Sequence, residues 1–108
     1  GGRIDVLVNN AGVFEAADIA DADGFASAWA RSLAINLQSA ADLCRHAVLH
    51  FQQHGGGRII NVASRAGHRG DSPKHWHYAA AKGGMLAMTK SIARAYAGQN
   101  ILAFSITP

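Results

Sequence analysis

The sequence contains only one cysteine, Cys44, among its 108 residues. A single cysteine excludes an internal disulfide, so we expect a reducing, cytoplasmic location. Cys44 falls among apolar residues of a helical stretch, and we interpret it as core packing. No apolar run approaches the roughly 20 residues of a membrane span, and no signal peptide is visible, so we expect no membrane partner.

Charged and aromatic residues are also scarce. The formal net charge is +3, and the ten lysines and arginines are scattered rather than clustered, so we predict no nucleic-acid partner. Aromatic side chains are few while alanine and glycine are plentiful, which favours close packing of helices on a sheet. The length allows one small domain, and the hydrophobic content of 49% is enough for a real core.

Strand-like and helical patterns alternate along the chain. The apolar, β-rich segments are residues 4–8, 58–64 and 101–106, and the first two are typical of strands buried on both faces. Helical periodicity covers about residues 22–54, with an interruption near Asn36, and about residues 76–97. Residues 13–21 and 65–75 are predicted loops. The order β-α-β-α-β predicts a parallel sheet with right-handed connections.

Tyr78 and Lys82 lie four residues apart in the second predicted helix and therefore share one of its faces. A nearby positive charge favours the ionised phenol, so a tyrosine in this position can exchange a proton near neutral pH. Taken alone, the spacing occurs by chance in many helices, most often as an ordinary surface pair.

Polar residues follow the predicted strands. Residues 10–12, Ser64 and residues 107–108 fall at strand carboxyl ends, where parallel α/β sheets bind their ligands. Tyr78 and Lys82, in the first turns of the second helix, are expected to face the same edge. The sequence therefore predicts that these groups line one crevice.

These segments together resemble the central part of a classical short-chain dehydrogenase/reductase. The matching segments are Asp5–Gly12 with its Asn-Asn-Ala-Gly end, Ile35–Leu37 with an active-site asparagine, Arg58–Ser64 with a catalytic serine, Tyr78–Gly84 with Tyr-x-x-x-Lys, and Ile101–Pro108 as the next strand. The resemblance covers essentially the whole chain, in order. It implies an α/β fold, a partial Rossmann-type, doubly wound parallel sheet with three strands and two long helices.

The resemblance also implies hydride transfer between NAD or NADP and a small carbonyl or alcohol substrate. Tyr78 is then the general acid in reduction and the base in oxidation. Lys82 eases ionisation of Tyr78 and holds the nicotinamide ribose, and Ser64 binds the substrate oxygen. Asn36 is expected to hold a water that connects Lys82 to solvent.

The same resemblance assigns residues to the cofactor. The backbone of Asn10, Ala11 and Gly12 would pass near the adenosine side, Pro108 would lie near the nicotinamide, and Tyr78 and Lys82 complete the set. The family's glycine-rich first turn, which meets the pyrophosphate, is absent. We therefore expect residues 1–108 to be a single partial dinucleotide-binding domain without its N-terminal glycine-rich half or its C-terminal substrate segment. The isolated chain is expected to have negligible activity.

The histidines admit a second interpretation. His46, His50 and His54 recur every four residues, a spacing that invites a metal site. A solvated helix face or a subunit contact explains them better, so we predict no metal. His77 precedes Tyr78 and is interpreted as an exposed loop histidine, with substrate contact as the alternative.

Four further residues are assigned to the scaffold. Asn9 and Asn61 are expected to tie strand ends to their neighbours. Gly83 and Gly84 each cost a helix about 1 kcal/mol relative to alanine, which indicates close backbone packing against a neighbouring helix or subunit.

Two other functions remain open at this point. The two long helices resemble those through which family members form dimers and tetramers, so a catalytically inactive oligomerisation or partner-binding module is the alternative, and a homo-dimer or homo-tetramer is expected for the enzyme as well. A nucleotide-sugar epimerase also uses Tyr-x-x-x-Lys, but the Asn-Asn-Ala-Gly strand argues against it.

Overall fold

The computed structural model describes residues 4–10 and 12–108. Its elements are β1 (Val6–Asn9), α1 (Ala22–Leu33), a π-helical segment (Ala34–Gln38), α2 (Ser39–Gln52), β2 (Gly57–Val62), the short α3 (Ala66–Arg69), α4 (Trp76–Tyr96), a 3-10 turn (Ala97–Gln99) and β3 (Ile101–Ile106). The predicted β-α-β-α-β order is confirmed.

The three strands form one parallel sheet in the order β1-β2-β3. Each connection steps to the next strand in the same direction, so right-handed crossovers put both long helical segments on one face of the sheet. Helices α2 and α4 both contact the strands. The predicted partial Rossmann-type architecture is therefore confirmed.

The opposite face of the sheet is uncovered among the described residues, and here one prediction was wrong. Val8, Ile60 and Phe104 lie side by side in register, yet Val8 is 55% and Phe104 51% exposed. The apolar runs predicted strands buried on both faces, but residues 4–10 and 12–108 supply helices to one face only. Alternate residues such as Leu7 are those that reach the core.

The core lies between the sheet and the helices. Phe51 of α2 packs with Ile59 of β2 and Ile101 of β3, all three with no exposed surface, together with Cys44 and Val48. Burial raises the pKa of the Cys44 thiol, which keeps it neutral, as suits a packing residue. A second cluster joins α2, the residue after β2, and α4 through Ala40, Ala63, Met85 and Leu86.

The first helical run begins at a side-chain cap and contains a π turn. The Asp21 carboxylate accepts from the Gly24 N–H, which satisfies an orphan donor of the first turn. The run continues through the π-helical segment Ala34–Gln38, which contains Asn36. The interruption predicted near Asn36 is therefore this widened turn, a feature frequent at functional sites.

The structure also corrects several boundaries. β1 begins two residues later than predicted, at Val6, and β2 ends at Val62, two residues before Ser64. Residues 65–75 were predicted as a loop but include the short helix α3. Within the described ranges, no helix is long and apolar enough to cross a membrane.

Candidate active site

A cavity of about 350 Å³ opens at the carboxyl edge of the sheet. Its walls come from the segments after β1, β2 and β3 and from the first turns of α4. The lining residues are Asn10, Gly12, Val13, Phe14, Val62, Ala63, Ser64, Tyr78, Lys82 and Pro108. The crevice predicted from the strand ends therefore exists. Thr107, which was predicted to line the same crevice, instead lines a separate cavity between α4 and β3.

The segment after β1 approaches the site closely at Gly12. A Cβ atom at this position would lie 2.9 Å from Asn36 Oδ1 and 3.7 Å from Lys82 Nζ. The Asn36 side chain already occupies that position, so glycine is what lets the backbone after β1 pack this closely against Asn36. Asn10 lines the same cavity, whereas Ala11, also assigned to the cofactor, lies outside the described residues.

Tyr78 and Lys82 both lie in the first two turns of α4 and point into the cavity. The Lys82 ammonium donates to the Val62 carbonyl at 3.2 Å and sits 5.8 Å from the centroid of the Tyr78 ring. Lys82 is only 5% exposed, and this burial lowers its pKa because the charged form is poorly solvated. The Tyr78 hydroxyl has no hydrogen-bond partner among residues 4–10 and 12–108.

Ser64 lies two residues beyond β2, on the wall of the same cavity. Its hydroxyl oxygen accepts from the Ala66 N–H at 3.2 Å, at the start of α3. This bond leaves the hydroxyl proton available to another acceptor, such as an oxygen inside the cavity.

Asn36 is fully buried behind the cavity rather than on its wall. Its Oδ1 accepts from the Val13 N–H at 2.6 Å, and its Nδ2 donates to the Val13 carbonyl and to Ser32 Oγ, both at 2.9 Å. The Asn36 side chain therefore fixes the chain after β1. Its predicted water-holding role stays a prediction.

A second anchor on this loop comes from His77. The prediction of an exposed loop histidine was wrong: His77 is in α4, has no exposed surface, and its Nε2 donates to the Glu15 carbonyl at 2.7 Å. Glu15 in turn accepts two bonds at 2.8 Å from the Arg31 guanidinium, which lowers the Glu15 pKa. The helix register that turns Tyr78 toward the cavity turns His77 into the interior.

Phe14 lies between these two anchors, and no sequence pattern predicted a role for it. Its ring stacks on the His75 imidazole, with centroids 3.8 Å apart and planes 10° apart, and meets the Tyr78 ring edge-on at 4.8 Å. The only sequence signal is a large apolar residue in a loop after a strand end. Its partner His75 is distant in sequence and could not be inferred.

Polar groups also meet inside the scaffold. Asn61 Oδ1 accepts from Asn9 Nδ2 at 2.8 Å, and Asn61 Nδ2 donates to Thr89 Oγ1 at 2.8 Å. All three side chains are buried, so these bonds satisfy groups that water cannot reach. They link β1, β2 and α4, in agreement with the scaffold role predicted for Asn9 and Asn61.

Glycines bring α3 against α4. A Cβ on Gly67 would lie 2.8 Å from the Gly83 nitrogen and 2.8 Å from the Lys82 carbonyl carbon. A Cβ on Gly84 would lie 2.9 Å from Leu37. The close packing predicted for Gly83 and Gly84 is therefore present within this chain.

The histidines of α2 make local contacts. His50 and His54 stack with centroids 4.1 Å apart, and His50 Nε2 accepts from the Ile4 N–H. In the part of the chain that the structure describes, no group of three or more metal-ligating side chains comes together.

Known proteins resemble this chain along its whole length. The sequence model of a family described as short chain dehydrogenase matches residues 1–108. D-beta-hydroxybutyrate dehydrogenase of Rhizobium meliloti is 39% identical over 107 residues, and 2-dehydro-3-deoxy-L-rhamnonate dehydrogenase (NAD(+)) of a Sphingomonas species is 33% identical over 107 residues. Acetoin dehydrogenase YohF from Salmonella typhimurium has a crystal structure that superimposes with a TM-score of 0.90 at 33% identity, over 98% of this chain.

The chain spans less than half the length of each of these proteins. Each sequence relative aligns with 99% of this chain, but the chain spans only 40% and 42% of those two proteins, and 41% of the acetoin dehydrogenase chain. The shared region is thus the part that carries the cavity and the α2 and α4 helices.

Proposed function

The chain belongs to the short chain dehydrogenase family, and we propose that it is the central part of an NAD(P)-dependent oxidoreductase that interconverts a small carbonyl and an alcohol. The observation that carries the proposal is the grouping of Ser64, Tyr78 and Lys82 around one cavity at the carboxyl edge of the sheet. This edge is where parallel α/β sheets bind ligands. The proposed reaction runs in both directions, and oxidation reverses the steps of reduction.

Tyr78 is proposed to move the proton. Its hydroxyl faces the cavity without a partner among the described residues, so it is free to donate to a carbonyl oxygen. The phenolate that remains is stabilised by the Lys82 charge, which lies 5.8 Å from the ring centroid in a poorly solvated site. The Ser64 hydroxyl donates a hydrogen bond to the same oxygen, without giving up its proton, and stabilises the negative charge that develops there.

Lys82 and the residues after the strands are proposed to hold the nicotinamide cofactor. An ammonium carries three donors, and Lys82 uses one of them on Val62 among the described residues, so the others fit ribose hydroxyls. Gly12 lines the same cavity, and its lack of a side chain lets such a ligand approach its backbone. Asn10, Ala11 and Pro108 complete the proposed set. When bound, the cofactor supplies or takes up the hydride.

Asn36 is proposed to act in two ways. Its side chain holds the Val13 backbone and so fixes one wall of the cavity. The segment around it is also proposed to hold a water that delivers protons to Lys82. The π turn supports this second role, because such turns are frequent at functional sites.

A homo-dimer or homo-tetramer through α2 and α4 is part of the proposal. A cavity of about 430 Å³ lies between these helices and is lined mainly by apolar side chains such as Leu49, Met88 and Ile92, with Arg45 and Gln52 also on its wall. Leu49 is 46% exposed, so a second subunit would remove apolar surface from water. The buried free thiol of Cys44 suits a reducing compartment, and we therefore propose a cytoplasmic enzyme.

Replacement of Tyr78 tests the proposal. In the intact protein that contains this chain, Tyr78→Phe should lower kcat for ketone reduction about 10²–10⁴-fold, the usual contribution of a general acid. Tyr96→Phe is the matched control: Tyr96 ends α4 in the α2–α4 groove, away from the active-site cavity, so turnover should stay unchanged in a variant whose sedimentation matches the wild type. The readout is NADH and NADPH absorbance, and unchanged turnover by Tyr78→Phe would overturn the role.

The α2–α4 groove also favours the second candidate, a non-catalytic oligomerisation module. Sedimentation of the intact protein, combined with titration of NADH and NADPH, distinguishes the enzyme from the oligomerisation module. An oligomer that binds neither cofactor would support the module, whereas cofactor binding together with turnover supports the enzyme.

A further inference from the structure

An aromatic pair, Phe14 and His75, stands beside the reacting group of the proposed enzyme. The two rings are stacked with centroids 3.8 Å apart, and the Phe14 ring lies 4.8 Å from the Tyr78 ring. Phe14 lines the same cavity as Tyr78 and Ser64. A group attached to a carbonyl carbon at Tyr78 would therefore reach the Phe14 ring within the length of one substituent.

Hydrogen bonds hold the backbone beside Phe14 and the His75 ring, and the Phe14 ring stacks on His75. The backbone on either side of Phe14 is fixed, since Asn36 bonds both backbone groups of Val13 and His77 bonds the Glu15 carbonyl. The His75 ring is fixed by a bond of 2.6 Å between its Nδ1 and Ser72 Oγ. The stacked pair is thus a pre-organised surface rather than two mobile side chains.

The Phe14 ring gives this surface an apolar, flat face. Phe14 is 56% exposed although it stacks on His75, so much of its ring remains open to a ligand. The nearest acidic side chain along the loop, Glu15, is neutralised by its two bonds to Arg31. Such a wall favours a planar, uncharged ring over a flexible alkyl chain, because aromatic pairs gain energy beyond area burial.

We propose that Phe14 and His75 form a specificity subsite that selects carbonyl and alcohol substrates with a flat ring next to the reacting carbon. The inference rests on the proposed oxidoreductase function, which it deepens by naming a substrate class. Phe14 touches the substrate ring, and His75 positions Phe14.

The test compares two methyl ketones of equal carbon number, acetophenone and methyl hexyl ketone. In the intact protein, kcat/KM should be higher for acetophenone, and Phe14→Leu should lower the acetophenone to methyl hexyl ketone ratio by about threefold to tenfold. Phe14→Tyr keeps the ring and should keep the ratio. Phe25→Leu is the matched control, since the Phe25 ring contacts Trp29 and Trp76 but does not line the cavity.

The outcomes separate the two proposals. A fold defect would lower both kcat/KM values together, and an equal loss on the two ketones or an unchanged ratio in Phe14→Leu would overturn the subsite. A wild-type protein that reduces both ketones without preferring acetophenone would overturn the subsite and leave the oxidoreductase standing. No turnover of either ketone in the wild type would count against both.

Discussion

The bonds of Asn36 give the most direct prediction about stability. Replacing Asn36 by alanine removes three hydrogen bonds, two to the Val13 backbone and one to Ser32. Asn36 and Ser32 have no exposed surface, so water reaches the vacated groups poorly. Val13 is half-buried, which lets water from the cavity compensate part of its loss.

The size of the effect follows from these contacts. A typical hydrogen bond contributes about 1 kcal/mol net, and a buried group left without a partner costs about 1–3 kcal/mol. Three bonds, of which the two at Val13 are partly replaced by water, give an expected loss of about 2–3 kcal/mol for Asn36→Ala. Ser32→Ala removes only one of the three bonds and should cost about 1 kcal/mol.

Urea unfolding of the intact protein measures both values. The midpoint should fall further for Asn36→Ala than for Ser32→Ala, while the slope m stays constant because the same surface is exposed on unfolding. Equal losses for the two variants, or a loss below about 1 kcal/mol for Asn36→Ala, would refute the idea that Asn36 anchors the loop after β1.

Two further substitutions test the surroundings of Lys82. Lys82→Met should raise the free energy of unfolding near neutral pH, because burial lowers the Lys82 pKa and the fold disfavours its charge. The wild type should regain stability as the pH rises from the lowered Lys82 pKa to the ordinary value of 10.5, because the folded protein then no longer has to bury a charge. The difference in urea midpoint between wild type and Lys82→Met should therefore shrink over this pH range. A difference that does not change with pH would contradict the prediction. Gly67→Ala should lower stability by about 1–3 kcal/mol in urea, because its Cβ meets the α4 backbone. Gly98→Ala, with open space, should be near neutral, and equal behaviour of the two would count against the α3–α4 contact.

The order of the elements was predictable because apolar periodicity depends on neighbours in sequence. Apolar runs predicted the strands found at residues 57–62 and 101–106, and helical spacing of apolar residues predicted the helix that begins at Trp76. The gathering of Ser64 with Tyr78 was also predictable, since the carboxyl ends of parallel strands share one edge.

The predictions that were wrong concern burial, which depends on contacts between residues distant in sequence. An apolar strand does not record whether a helix covers its second face, and so Val8 was expected to be buried. His77 was expected on the surface because it is polar and follows a loop, yet its environment is set by Glu15, 62 residues earlier. The stack of Phe14 on His75 is of the same kind.

The candidate site is held together by the loop after β1 rather than by direct bonds among the side chains proposed to be catalytic. Among the described residues, no hydrogen bond joins Ser64, Tyr78 and Lys82 to one another. The π turn places Asn36 against Val13, and His77, the residue before Tyr78, donates from its imidazole to the Glu15 carbonyl. The same turn of α4 therefore orients the proposed acid and the loop that carries Phe14, so hydrogen bonds from the buried Asn36 and His77 side chains set the distance from Tyr78 to the ring wall. This arrangement couples the proton donor to the proposed selection of substrate, and it explains why a polar histidine is fully buried next to a tyrosine that faces an open cavity.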